Sequence, residues 1–168
     1  MDLPFQQIST QYQVRRMTEE DLPALLALAR GNPTYYAHIH DQPSLENLRE
    51  DLSKLPPRTA PEDKYFLGYF QEGRLAAALD LITAYPAPDM AFIGWFILRK
   101  DLQGRGTGTA LITELLSFLK AQGFLSVRLG RVKSNPESRA FWLKNEFLPT
   151  GLEYDGGGYT VSVMQRTL

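Results

Sequence analysis

From Met90 to Leu98 the chain is almost wholly apolar, and a few residues later it meets three closely spaced glycines, Gly104, Gly106 and Gly108. Helical periodicity begins at once, from about Gly106 to Gln122, with Leu111, Ile112, Leu115, Leu116 and Leu119 on one stripe and Gly123 at its end. Such an apolar run reads as a central strand buried on both faces. The strand, glycine turn and helix also define a place for an anion. The first N–H groups of a helix lack internal acceptors, and the helix dipole puts partial positive charge there. Glycine lets the backbone approach a ligand closely and lets successive N–H groups converge on it. Such a junction suits phosphate, with Arg105 adding a charge and Gln103 a neutral donor.

Two familiar phosphate motifs fail here. The Walker pattern needs Lys followed by Ser or Thr after its last glycine, and this loop has Thr109-Ala110. A dinucleotide fold needs an acid near the end of the next strand, but that region reads Arg128-Leu129-Gly130-Arg131-Val132-Lys133. An ordinary tight turn at a close helix–strand contact is the plain alternative for the loop taken alone.

The remaining elements follow from periodicity and punctuation. Strands are expected at Tyr12–Met17, Tyr65–Phe70, Leu75–Thr83, Ser126–Val132, Leu152–Tyr154 and Tyr159–Met164. Helices are expected after the Thr18 cap up to Gly31, after the Ser44 cap up to Pro56-Pro57, and from Asn135-Pro136. The stretch from Asn32 to Pro43 reads as a polar, aromatic loop. Hairpins mixed with helical crossovers imply one α/β (α+β) domain over 1–168 with a mixed sheet, 1–11 being a loose N-terminal extension.

Composition narrows the function classes. No cysteine is present, which excludes disulfides, Cys-ligated metal and a Cys nucleophile. A net charge of −1 gives no general pull toward nucleic acid or anionic membrane. No stretch resembles a signal peptide or a membrane span, so a cytoplasmic protein is expected.

The loop fits the pattern Gln/Arg-x-x-Gly-x-Gly/Ala through Gln103, Gly106 and Gly108, and so resembles the first signature of the GCN5-related N-acetyltransferases (GNAT family). Further on, the run from Asn135 through Ser138, Phe141 and Trp142 to Phe147 is similar to that family's second signature, Asn-x-x-Ala…Tyr…Gly-Phe. The element order over residues 12–166 agrees. The resemblance implies a mostly antiparallel seven-stranded sheet with about four helices, splayed between the fourth and fifth strands. It implies an acetyl-CoA-dependent N-acetyltransferase that uses coenzyme A as cosubstrate. Ile97 and Leu98 would pair with the pantetheine arm. Gln103, Gly104, Arg105, Gly106, Thr107, Gly108 and Thr109 would surround the pyrophosphate. Asn135, Ser138 and Trp142 would lie along the arm, and Lys133 and Arg139 would meet the 3′-phosphate or simply face solvent.

Acetyl transfer needs a neutral amine, a polarised thioester carbonyl and a proton for the leaving thiolate. A backbone N–H near Leu98 is the expected oxyanion donor. Many relatives carry a tyrosine acid where this chain has Trp142, whose indole N–H is far too weak an acid. Tyr154 or water is the substitute candidate. Met90–Leu98 contains no Glu, so Asp80 is the nearest candidate base, its plain alternative being a hydrogen-bonded strand residue. Tyr35, Tyr36, His38 and Arg131 are candidate acceptor contacts. The pair His38-x-His40 lacks a third ligand, and no metal is expected. Without cysteine, an acyl-Cys intermediate is impossible, so the amine, from a small molecule or a peptide, attacks directly in a ternary complex. The alternative is a non-catalytic acyl-CoA-binding sensor or scaffold. Edge strands leave room for a homodimer.

Overall fold

The computed structural model describes residues 2–168. One sheet contains β1 (Gln13–Arg16), β2 (Lys64–Gln71), β3 (Arg74–Thr83), β4 (Met90–Leu98), β5 (Ser126–Val132), β6 (Leu148–Asp155) and β7 (Thr160–Thr167). The spatial order is β1-β2-β3-β4-β5-β7-β6. Only the β4–β5 pair is parallel among the described residues. The helices are α1 (Leu22–Arg30), α2 (Pro33–His38), α3 (Leu45–Asp51), α4 (Thr107–Ala121) and α5 (Pro136–Lys144). No helix among the described residues is long and apolar enough to cross a membrane.

Strand alternation sorts the apolar side chains into two cores. Tyr65, Leu67, Tyr69, Leu79 and Leu81 pack with Leu111, Ile112, Leu115 and Leu119 of α4. Phe66, Phe70, Ala78 and Ile97 pack on the other side with Leu25 and Leu28 of α1 and Leu48 of α3. Each fully buried leucine contributes about 1.5–3 kcal/mol relative to exposure. Helices therefore cover both faces, and β4 is central as its apolar run requires.

Two irregularities in β4 shape everything that follows. The parallel ladder with β5 runs from Met90–Ser126 to Ile93–Leu129 and stops, although both strands continue. Beyond Ile93 the strands diverge, which is the expected splay. On the other edge of β4, Trp95 opposes Asp80 while Ile93 opposes Leu81, so Gly94 is an extra, bulged residue. The bulge reverses the strand's phase. Ala91 and Ile93 join the α4 core, whereas Trp95 and Ile97 join the α1–α3 core.

Local signals set the helix ends. Gly123 (φ 96°) closes α4, with its N–H bonded to Lys120 O and that of Phe124 to Leu119 O. The same paired bonds close α5, from Glu146 to Leu143 and from Phe147 to Trp142, but there Glu146 takes the left-handed conformation at φ 64°. That geometry explains why the family signature has glycine at this position.

Four expectations are corrected. Residues 1–11 are not a loose extension from Leu3 onward: Leu3, Phe5 and Ile8 are buried in the α4-side core, and Leu3 N–H donates to Tyr65 Oη at 3.1 Å. The 32–43 segment contains α2, a fifth helix too short to show a periodic stripe. Helix α3 ends at Asp51, well before Pro56. Strand β6 starts at Leu148, not Leu152, because an edge strand with Pro149, Gly151 and a register shift lacks clean alternation.

Candidate active site

The splay opens a cleft of about 550 Å³. Its floor is the diverging part of β4, its far wall comes from β5 and α5, and its mouth is the glycine loop. Gly104 (φ 74°) and Gly106 (φ 80°) both hold left-handed backbone, and a Cβ at either would have no neighbour within 4 Å. The loop is thus open on its ligand side and shaped by glycine. Gly106 caps α4 without any side-chain acceptor, so the first N–H groups of that helix face the mouth unsatisfied. Gly108 lies against Phe141, whose Cε1 would stand 2.9 Å from an added Cβ. Lys100, Arg131 and Lys144 line the cleft against one carboxylate, Glu137. An N-terminal amide cradle, cationic lining and a free strand edge fit a long phosphorylated thioester such as coenzyme A.

The structure qualifies several expected cofactor contacts. Gln103 lines the cleft, but its Nε2 donates inward to Leu98 O at 2.8 Å and Asn32 Oδ1 at 2.6 Å. Asn32 Nδ2 in turn donates to Leu98 O at 3.1 Å and Leu28 O at 3.0 Å. Gln103 therefore holds the end of β4 to the start of α2 and does not present its amide to the mouth. Arg105 and Thr107 do not line the cleft, whereas Ile97, Leu98, Gly104, Gly106, Gly108 and Thr109 do. Asn135, 6% exposed, caps α5 by accepting from Ser138 N–H at 3.2 Å, and both residues line the cleft. Trp142 is buried in a ring cluster with Phe96, Phe141 and Phe147. Its role is packing of the cleft wall.

A second cavity, of about 710 Å³, lies between the sheet, α2–α3 and the β6–β7 turn. The two cavities share Tyr35, Gly94, Trp95, Tyr154, Tyr159 and Val161. Their common wall is therefore the β4 bulge and the aromatic groups around it. Asp80 lines the second cavity from β3. A Cβ on Gly94 would stand 2.8 Å from Asp80 Oδ2, so the bulge glycine makes room for that carboxylate. Lys64 Nζ, anchored on Lys54 O at 2.6 Å, sits 3.0 Å from Asp80 Oδ1 and 3.1 Å from Oδ2. Only the Oδ2 contact has hydrogen-bond geometry, which leaves buried Oδ1 without a hydrogen bond. Burial pushes the Asp80 pKa up to about 6, Lys64 opposing the shift and Asp51 adding to it. A carboxylate so tuned is ionised at neutral pH yet basic enough to take a proton.

The aromatic wall is continuous. Tyr35 meets Tyr36 edge-on at 5.0 Å and Trp95 at 6.3 Å, and Trp95 meets Phe66 at 6.1 Å. Tyr154 reaches across from β6, and its Oη lies 2.8 Å from where a Cβ on Gly130 would be. Desolvation raises the Tyr154 pKa, with Tyr159 and Tyr85 adding to it, so the phenol stays protonated near neutrality.

Two acceptor expectations fail on geometry. His38 lines neither cavity; its Nδ1 lies 2.8 Å from Ser134 Oγ, tying α2 to the β5–α5 loop. Arg131 belongs to the cofactor cleft, not the second cavity, and no bulge occurs at Gly130. It is 8% exposed, and its Nη1 donates to Val132 O, Lys133 O and Asn135 O at 2.9, 3.3 and 3.2 Å, securing the loop into α5. The bulge of β4 lies at Gly94, four residues before Leu98. The sequence reading also missed Lys64, Trp95 and Tyr159. Gly94, a lone glycine inside an apolar strand, was the one available signal for a bulge.

Comparison with known proteins follows the same lines. The family model described as Acetyltransferase (GNAT) family matches residues 22–147. Among solved structures, an acetyltransferase from Thermus thermophilus is 25% identical with a TM-score of 0.71, over 94% of this chain and 97% of that one. The PaiA N-acetyltransferase from Thermoplasma acidophilum, solved in complex with coenzyme A, shares the fold at 23% identity and a TM-score of 0.67, over 94% and 99% of the two chains. So does a Salmonella typhimurium acetyltransferase that modifies the N-terminal serine of ribosomal protein L7/L12, at 21% identity and a TM-score of 0.74, over 96% and 97%. No match was found among curated protein sequences. With the family model covering most of the chain and the splayed sheet agreeing, the protein belongs to the GNAT family of acetyltransferases, whose acyl donor is acetyl-CoA.

Proposed function

We propose that the whole chain works as one N-acetyltransferase domain that moves an acetyl group from acetyl-CoA to a primary amine by direct attack. The observation that carries this reading is the shared wall: the phosphate-accepting cleft and the carboxylate-bearing cavity meet at Gly94, beside Asp80.

Coenzyme A supplies an activated acetyl thioester, and the chain's residues do the rest. The loop around Gly104–Thr109 would hold the pyrophosphate by backbone N–H groups, and the unpaired edge of β4 would receive the pantetheine arm as an added strand. Asn135, Ser138 and Trp142 form the wall along that arm. Backbone N–H groups at the Gly94 bulge are the oxyanion donors in place of Leu98. Asp80 accepts the proton of the amine, directly or through water, as the new C–N bond forms and the C–S bond breaks. Tyr154 is the candidate donor for the leaving thiolate.

The test is thiol release from acetyl-CoA over a panel of primary amines, with product mass measured. Release that requires both protein and amine upholds the reading. Tight coenzyme A binding with no release on any amine overturns it in favour of a sensor.

A further inference from the structure

The second cavity differs in chemistry from the cleft it joins. Its lining includes Asp41, Glu50, Asp51, Asp80 and Asp155 against a single cation, Lys54. Lys64, behind Asp80, offsets one of these acids. Among the described residues, neither Glu50 nor Asp51 makes an ion pair, and neither side chain is hydrogen-bonded. Asp51 is half-buried, and burial raises its pKa, with Lys54 and Lys64 opposing the shift and Glu50 and Asp41 adding less to it. The excess of negative charge is one of number, five carboxylates against Lys54 and Lys64. Aromatic side chains of Tyr35, Tyr36, Phe66, Trp95 and Tyr159 line the same cavity. Carboxylates interleaved with ring faces are the environment that organic cations prefer.

Resting on the reading of this cavity as the acceptor chamber, we propose that the acceptor is a small aliphatic amine carrying at least one further positive charge, a diamine or a longer polyamine. Asp80 receives the attacking nitrogen at the bulge. Asp51, with Glu50 and Asp41 on the α2–α3 side, holds the remote ammonium. The lining donors are Asn47, Lys54, the Trp95 indole N–H and the tyrosine hydroxyls, of which only Lys54 is charged, so the five carboxylates set the preference for a small cation.

Thiol release is measured with the full chain for butylamine, 1,4-diaminobutane and a tetrapeptide whose second residue is lysine. The expected kcat/KM for the diamine exceeds that for butylamine roughly 10- to 100-fold, the range of a charge-assisted contact. Added salt shrinks the ratio. Asp51→Asn and Glu50→Gln raise the diamine KM several-fold without changing coenzyme A affinity measured by calorimetry. Equal kcat/KM for butylamine and the diamine overturns the inference while leaving the acetyltransferase reading intact. A tetrapeptide that outruns the diamine also overturns it and assigns the chamber to protein N-termini. If no amine releases thiol, the acetyltransferase reading falls, and calorimetry of the diamine against the protein–coenzyme A complex decides this inference alone. Binding that Asp51→Asn weakens at least tenfold upholds it, and no binding overturns it.

Discussion

The two cavities that meet at Gly94 are built from different materials. The donor cleft is backbone: positive-φ glycines, a helix N-terminus and the edge of a strand that has left its neighbour. Its charged side chains are mostly cations. The proposed acceptor chamber is side chain: carboxylates and rings from α2, α3, β2, β3, β4 and the β6–β7 turn, mostly anionic. A backbone site recognises what all its substrates share, here phosphate and an extended arm. A side-chain site is retuned by single substitutions, so on the proposed reading acceptor choice resides there. Substitutions on the two sides should accordingly fail in different ways.

The largest effect is expected at the point of contact. Asp80→Asn keeps the shape but removes the base, and kcat should fall by about 10²- to 10⁴-fold. The wild-type pH profile should lose activity as pH falls through about 6, where Asp80 takes up its proton. That limb should vanish from the residual activity of the variant, while acetyl-CoA affinity stays unchanged. An Asp80→Asn enzyme with the wild-type acid limb would remove Asp80 from the chemistry. Next in size is Tyr154→Phe, expected to lower kcat by about 10- to 100-fold, at or below the lower end of general-acid effects, because a thiolate is a good leaving group. Gly130→Ala should reproduce part of that loss, since its Cβ would crowd Tyr154 Oη and Val161 Cγ1, each at 2.8 Å.

On the donor side the effects should be smaller and should appear in binding. Gly106→Ala places a side chain at φ 80°, a conformation that costs a non-glycine residue about 1–2 kcal/mol. Coenzyme A affinity by calorimetry should drop roughly tenfold, with the pH profile of kcat unaltered. A change confined to acceptor KM would break the division between the two cavities.

The same division explains what the sequence made legible. The glycine loop, the helix after it and the apolar strand before it are contiguous, so local pattern suffices to read them. The splay is visible only through the family resemblance, because divergence of β4 from β5 depends on two strands separated by α4. Asp80 stood out as the nearest acid, but its setting depends on Lys64 and Asp51 as charged neighbours and on the room left by Gly94, residues far apart in sequence. Arg131 was a candidate acceptor contact because the resembling family usually has an apolar residue at that strand position; its guanidinium ties down carbonyls at the strand end. Trp142 is the opposite case. Its indole chemistry argued for packing, and the ring cluster around it is packing.

Gln103 offers the finest test of the comparison, because it opens the signature of the backbone site yet acts through its side chain. Its amide and that of Asn32 both donate to Leu98 O, and the two side chains bond each other at 2.6 Å. If this pair only fastens β4 to α2, then Gln103→Ala and Asn32→Ala should each cost about 1 kcal/mol of stability. For a chain of this size that is a melting shift of about 2–4 °C. The double variant should cost clearly less than the sum, since each change removes a partner of the other. Coenzyme A affinity should move by no more than about threefold in any of the three, 1.4 kcal/mol being tenfold. A large, additive loss of affinity in Gln103→Ala that Asn32→Ala does not share would mean that the amide turns outward to the pyrophosphate, and the donor cleft would then be partly a side-chain site.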